Sequence, residues 1–181
     1  LINSTINFFV DSQIFNLEVY KYLDSTNNYL LKKSNSICNR QFIDVVVAEY
    51  QTHGRGRYGR RWSSGLGEGL TFSLSKFFKL DSVAMSGLSH VIGIAIIRVL
   101  HQFGIQGVGL KWPNDIVATA GLQKIAGVLI DFHHVTSSES RAIIGIGINF
   151  NLSQTTKNMI NQNITDLSSL VDFRLNQNIF L

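Results

Sequence analysis

Gln51-Thr52-His53-Gly54-Arg55-Gly56-Arg57-Tyr58-Gly59-Arg60-Arg61-Trp62 follows an apolar run, Val45-Val46-Val47-Ala48, and separates two candidate architectures. Gly54, Gly56 and Gly59 spell G-x-G-x-x-G after a strand, the dinucleotide-binding fingerprint. In a doubly wound α/β fold that loop must open a helix whose N-terminus meets the pyrophosphate. Here it runs through Arg60, Arg61 and Trp62 into Gly65, Gly67 and Gly69, and three glycines in that span do not sustain a helix. No G-x-x-x-x-G-K-[ST] phosphate loop is present either. The architecture that remains is α+β: a mainly antiparallel mixed sheet with helices on one face.

The same loop holds the protein's excess charge. The chain carries 16 Lys+Arg against 12 Asp+Glu, and setting aside Arg55, Arg57, Arg60 and Arg61 leaves 12 against 12. Forked guanidinium donors on a glycine-rich backbone suit phosphate or carboxylate, and a neutral remainder points to a local anion site rather than a broad nucleic-acid face. Such a loop, with its arginines repelling one another, is expected to be mobile without an anion. At 181 residues, 45% hydrophobic and 15% charged, the chain suits one globular domain. The single cysteine, Cys38, offers no intramolecular disulfide or zinc spacing. Together with the lack of a signal peptide or a membrane-length apolar run, it makes the cytoplasm the expected location and a membrane an unexpected partner. The chain begins at Leu1 without methionine, as a fragment does.

Outward from the loop, residues 42–50 and 70–78 read as strands. The second alternates Leu70, Phe72 and Leu74 against a wet face of Thr71, Ser73 and Ser75. Residues 1–10 have a loosely helical spacing, 15–23 alternate as a strand, and 28–33 continue as a short helix after the capping stretch Asp24-Ser25-Thr26-Asn27. Residues 83–103 make the longest helix, with a stripe of Met85, Leu88, Ile92, Ala95, Ile96, Val99 and Leu100, ended by Gly104. A strand at 108–112 stops at Pro113. A hairpin follows, 116–118 and 125–132 joined through 119–123, then a strand at 141–150 and a short helix at 165–171. Gly145 and Gly147 weaken that last strand unless a ligand or another backbone approaches it closely.

Two further clusters could carry chemistry. Lys111-Trp112-Pro113-Asn114-Asp115 projects Asn114 and Asp115 from a sheet rim, where a simple turn closed by Asn and Asp is an equal reading. Lys124 opens an apolar strand, where a lysine ordinarily protects a sheet edge. Taken together, an arginine loop and a fixed lysine fit the joining of a carboxylate to a nucleotide α-phosphate. That reaction brings two anions together, usually with a metal, and must exclude water from a labile mixed anhydride. Trp62 could cover a purine face. The residues alone do not name the acid.

The ordered set of these motifs resembles the catalytic domain of bacterial biotin–protein ligase, or biotin–[acetyl-CoA-carboxylase] ligase. The match runs through Asp24-Ser25-Thr26-Asn27, Glu49-Tyr50-Gln51, the Gly54–Trp62 loop, Lys111-Trp112-Pro113-Asn114-Asp115, Lys124-Ile125-Ala126-Gly127-Val128-Leu129 and Gly145-Ile146-Gly147-Ile148-Asn149. The resemblance implies a fold shared with class II aminoacyl-tRNA synthetases. It also implies a two-step reaction: biotin and ATP with Mg2+ give biotinyl-5′-AMP, and a lysine of the biotin carboxyl carrier protein of acetyl-CoA carboxylase then takes the biotin. By the same resemblance Ser25, Thr26, Asn27 and Gln51 hold the head group, and Gly54, Arg55, Gly56 and Arg57 close over biotin. ATP meets Arg55, Arg57, Arg60, Trp62, Asn114, Lys124 and Asn149, and Lys124 also contacts the biotin carboxylate. Catalysis falls to Lys124, Arg57 and Asp115, with Lys111 as the substitute for Lys124. No metal ligand is assigned.

Tyr58 departs from the resemblance, standing where a basic residue is common, and residues 115–124 are slightly longer than in many relatives. The family continues past the position of Leu181 into a small β-barrel, and many members carry an N-terminal helix-turn-helix, after which comes a segment like residues 1–10. This chain contains neither, so DNA binding is expected only with such a domain attached, and a homodimer stays open. A lipoate-type ligase and a basic nucleic-acid-binding module are the alternatives. The Gly-Arg-Gly-Arg loop and Lys111–Asp115 favour biotin over the former, and the neutral remainder of the chain argues against the latter.

Overall fold

The computed structural model describes residues 4–10, 13–33, 42–79, 85–136, 139–173 and 175. Cys38 and residues 83–84 lie outside them. The elements in chain order are β1 (Ser4–Val10), β2 (Gln13–Leu23), α1 (Thr26–Lys33), β3 (Phe42–Gln51), β4 (Gly69–Phe78), α2 (Leu88–Gln102), β5 (Val108–Lys111), β6 (Asp115–Ala118), β7 (Gln123–Thr136), β8 (Glu139–Asn149) and α3 (Gln154–Met159). The strands form one eight-stranded sheet in the order β1-β2-β3-β4-β8-β7-β6-β5. Every neighbouring pair is antiparallel except β2 and β3, which run parallel across the α1 connection. The α+β class and the mainly antiparallel mixed sheet expected from the sequence are both present.

The helices do not share a face. α1 packs Leu30 against Val46 and Ile143, whereas α2 packs Ile96 and Leu100 into a cluster with Val47, Ile144, Ile146 and Ile148. Successive strand residues point to opposite faces, so Ile143 and Ile144 separate the two helices by the thickness of the sheet. β8 is consequently buried along both sides from Ser140 to its end. Ser73 and its neighbours also differ from their expectation, because α1 covers them. Thr71, Ser73 and Ser75 are buried and bonded, with Thr71 Oγ1 donating to the Ala48 carbonyl at 2.7 Å and Arg141 Nε donating to Ser75 Oγ at 2.6 Å.

Residues 4–10 are a strand, not a helix. They pair antiparallel with β2, and the Phe8 and Phe15 rings stack at 5.0 Å. Pairing with a neighbour overrides the weak helical spacing there. α2 begins at Leu88 and is rotated from the expected stripe: Gly93, Ile96 and Leu100 face inward, while Ala95 and Val99 are exposed. Gly93 sets this rotation, since a Cβ there would stand 2.5 Å from Leu110 Cδ1 on β5. The helix expected at 165–171 is a single 3-10 turn, Leu167–Leu170, capped by the Asp166 side chain, and the short α3 was not foreseen.

α1 is pinned to the sheet by a polar network. Glu18 accepts from both Tyr20 and Tyr29 hydroxyls and from Lys33, and Lys33 also pairs with Asp44 at 2.9 Å. This network fixes the helix whose first turn carries the expected head-group residues.

Candidate active site

Three segments meet on the α1 face of the sheet. The first is the start of α1. Ser25 Oγ accepts the Asn28 N–H at 3.4 Å, so the capping role expected of this stretch is present. Burial alone would raise the Asp24 pKa, but hydrogen bonds from the Ser25 N–H, Lys32 and Asn28 outweigh it and hold the carboxyl below its ordinary value. Gln51, at the end of β3, turns its Oε1 to the Thr26 N–H at 2.8 Å and the Thr26 hydroxyl at 3.2 Å. The buried Ser73 Oγ lies 2.6 Å from Thr26 Oγ1 and 2.5 Å from Asn27 Oδ1. Asn27 Nδ2 donates to Asp131 Oδ2 at 2.9 Å. Ser25, Thr26, Asn27 and Gln51 therefore stand together, with their polar atoms oriented by neighbours, and all four line one cleft.

The second segment is the arginine loop, which is a tight hairpin. Gly54 accepts the Trp62 N–H at 3.0 Å, Gly56 donates to the Arg60 carbonyl at 2.7 Å, and Arg55 bridges Arg61. Its tip reverses through left-handed backbone at Tyr58 (φ 57°) and Gly59 (φ 72°). Gly54 serves the hairpin rather than the cleft, since a Cβ there would stand 2.4 Å from the Trp62 carbonyl oxygen. The repulsion expected among the arginines is met by separate partners. Arg55 makes a two-pronged contact with Asp131, Arg57 donates to Asn114 Oδ1 at 3.2 Å, and Arg61 donates to the Thr52 carbonyl at 2.8 Å. The Tyr58 ring packs against the Arg57 guanidinium, whose Cζ is 5.0 Å from the ring centroid.

The third segment is the wall made by β7 and β8. Gly127 pairs with Gly147, and the Trp62 indole lies over both: a Cβ on Gly147 would stand 2.4 Å from Trp62 Cε2. A Cβ on Gly145 would stand 2.1 Å from Asn27 Oδ1. The strand glycines are thus room for two side chains brought from other elements. Trp62 Nε1 is buried and has no hydrogen-bond partner among the described residues.

Lys124 is not at a sheet edge. β7 lies between β8 and β6, and Lys124 projects from this interior strand into the cleft. Its Nζ is 2.8 Å from Asp115 Oδ1 and 5.5 Å from the Trp62 ring centroid. Asn114 links the rim to the same strand, its Nδ2 donating to the Val128 carbonyl at 2.9 Å. Lys111 is exposed and does not line the cleft, although it is in register with Asp115.

The cleft is about 290 Å³ and is lined by Arg55, Gly56, Arg57, Arg60, Trp62, Asn114, Asp115 and Lys124 as well as the α1 residues. A second cavity, about 310 Å³, adjoins it and shares Arg61, Trp62, Lys124 and Gln162 with it. Asn149 lines this second space, its amide held by the Thr165 carbonyl at 3.0 Å. Sequence reasoning missed Ser73, Asp131 and Gln162. A carboxylate in the apolar run of β7 was the available signal for Asp131; Ser73 and Gln162 carried none. Among the described residues no group of three or more His, Cys, Asp or Glu is placed to hold a metal ion.

A model of the biotin/lipoate A/B protein ligase family matches residues 19–151. A bifunctional ligase/repressor BirA from Salmonella typhimurium is 38% identical over 147 residues, which are 81% of this chain and 44% of that protein. A biotin–[acetyl-CoA-carboxylase] ligase from Mycobacterium tuberculosis is 31% identical over 137 residues, 74% of this chain and 48% of its own length. The solved structure of an Aquifex aeolicus biotin protein ligase R40G mutant in complex with biotin superposes with a TM-score of 0.67 at 27% identity, covering 90% of this chain and 63% of that one. The chain thus spans about half the length of the curated relatives it matches. With a family model over most of its length and relatives at this identity, the chain belongs to the biotin/lipoate A/B protein ligase family.

Proposed function

We propose that the cleft activates biotin with ATP, giving biotinyl-5′-AMP and pyrophosphate, and then passes the biotinyl group to a lysine of a biotin carboxyl carrier protein. The observation that carries this reading is the position of Lys124, which borders both cavities at the point where they meet. One cavity has polar atoms suited to a ureido head group at its far end. The other adjoins Trp62 and Asn149 and suits a nucleotide base. A carboxylate from the first and an α-phosphate from the second would meet at the Lys124 ammonium.

The chemistry follows from that placement. The biotin carboxylate oxygen attacks the α-phosphorus and pyrophosphate leaves. Negative charge builds on the phosphoryl oxygens, and a preorganised ammonium stabilises it more in the transition state than in the ground state. Arg57 and Arg60, on the hairpin, neutralise the remaining phosphate charge and shield the mixed anhydride from water. In the second step a carrier lysine amine attacks the acyl carbon, AMP leaves, and the amine loses a proton. Asp115 is placed to orient that amine, because it already holds an ammonium, that of Lys124, at 2.8 Å.

Asp131 is bonded to the hairpin and Asp115 lines the cleft, and both are paired with cations. Among the described residues no group of three or more His, Cys, Asp or Glu forms a metal cage, so Mg2+ would travel on the nucleotide phosphates and supply charge neutralisation there. The relatives' names, in which biotin recurs, favour biotin as the acid. The test is incubation of the chain with ATP, Mg2+ and either biotin or lipoate, with the adenylate scored by mass spectrometry. Biotinyl-AMP alone is expected; lipoyl-AMP alone, or neither, contradicts the proposal.

A further inference from the structure

Along β7, Gly127, Leu129 and Asp131 lie on the α1 face of the sheet, opposite Gly147, Gly145 and Ile143 of β8, and the first two line the cleft. Trp62 and Asn27 fill the space over the glycines. Asp131 is the ionisable residue of that row, and its two oxygens are divided between separate elements. Oδ2 accepts from Asn27 Nδ2 at 2.9 Å and from Arg55 Nη1 at 3.0 Å, and Oδ1 accepts from Arg55 Nη2 at 3.2 Å. Arg55 Nη1 also reaches Asn28 Oδ1 at 3.1 Å. One carboxylate on an interior strand therefore joins the first turn of α1 to the hairpin.

Both attachments restrict orientation. A two-pronged guanidinium–carboxylate pair fixes the plane of both groups, so the stem of the hairpin has one favoured approach to the sheet. Asn27 is tied at its nitrogen by Asp131 and at its oxygen by Ser73, so its amide cannot turn over without losing both bonds. With the side chain of Asp131 only 22% exposed, water is a poor substitute for either partner.

We propose that Asp131 is a positioning residue that sets the hairpin's closed approach and the orientation of Asn27 together, so that the lid and the head-group end of the cleft are one unit. The proposal rests on the cleft being the biotin site, but its first readout does not. Asp131→Asn keeps the shape and removes the charge, Asp131→Ala removes both attachments, and Asp131→Glu restores the charge. Each variant is treated with trypsin under native conditions, and cleavage after Arg57, Arg60 and Arg61 is compared with cleavage after Arg98 on α2. Biotin affinity is measured by calorimetry.

Hairpin cleavage relative to Arg98 should rise about tenfold or more in Asp131→Asn and Asp131→Ala, biotin affinity should fall by a similar factor, and Asp131→Glu should recover part of both. Unchanged relative cleavage in Asp131→Asn and Asp131→Ala would overturn the proposal. So would a rise at Arg98 equal to that in the hairpin, which would make Asp131 a residue of global stability only. If the unaltered chain binds no biotin, the functional reading fails, and the cleavage ratio alone still decides whether Asp131 holds the hairpin.

Discussion

Trp62 lies so closely on Gly147 that a Cβ at that position would stand 2.4 Å from the indole Cε2. The hairpin is seated on the sheet through this contact, and the seat exists only because β8 has no side chain there. Gly147→Ala should lift the indole and cost about 1–3 kcal/mol, the usual range for overpacking. Emission from Trp62, read in a Trp112→Phe background because Trp112 is exposed, should shift toward that of a solvated indole. Unchanged emission with unchanged stability would show that the indole moves aside freely.

Thr26, Gln51, Ser73 and Asn27 make one hydrogen-bonded row at the end of the cleft proposed for the head group. A ureido ring can satisfy such groups and a dithiolane cannot. Leaving polar groups unpaired costs about 1–3 kcal/mol each, so calorimetry should show biotin preferred over lipoate, with Thr26→Val narrowing the gap. Equal affinity for the two acids would contradict the assignment of this end of the cleft.

The network under α1 sets a pH dependence. Burial alone would raise Glu18, but hydrogen bonds from Lys33, Tyr29 and Tyr20 outweigh it and leave the carboxyl below its ordinary value. A depressed acid contributes stability that is present above its unfolded pKa and is lost as pH falls through its folded pKa. Lys33 is shifted upward: burial lowers it, but Glu18 and Asp44 more than compensate. Its contribution is full below the unfolded lysine value and fades only as pH rises through the folded one. Both are therefore present at neutral pH, and the acid side is where Glu18 is lost. Urea midpoints should fall as the pH drops below the ordinary glutamate value of 4.5, and Glu18→Gln should be about 1–3 kcal/mol less stable at pH 7 with a shallower acid slope. An identical acid slope in the variant would remove Glu18 from the account.

Some of this was legible in the sequence because the chemistry was local. The arginines, glycines and tryptophan of 51–62 lie within one hairpin, and Lys124, Asn114 and Asp115 flank strand ends that propensity and proline mark. Other features came from register and could not be read in one dimension. Asp131 meets Asn27 and Arg55 only because β7 pairs with β8 in the register that puts Leu129 opposite Gly145. Ser73 reads as solvated because its alternation with Phe72 and Leu74 is that of a half-exposed strand; α1 covers it instead. The two-sided burial of β8 hid which helix covered which face, since Ala142, Ile143 and Ile144 are apolar on both. β1 was misread because its apolar residues fit a helical spacing about as well as a strand's, and its pairing with β2 decides between them.

In the proposed reaction Lys124 carries the activation of biotin. It is the cation that borders both cavities from within the sheet, while Lys111, the other candidate, is exposed outside the cleft. Single-turnover formation of biotinyl-AMP in Lys124→Ala, measured beside biotin affinity, tests this most directly. Adenylation should fall roughly a hundred- to a thousand-fold, about 3–4 kcal/mol, with biotin binding largely kept, because the proposed head-group contacts come from α1 and β3. Near-normal adenylation in Lys124→Ala would contradict the account.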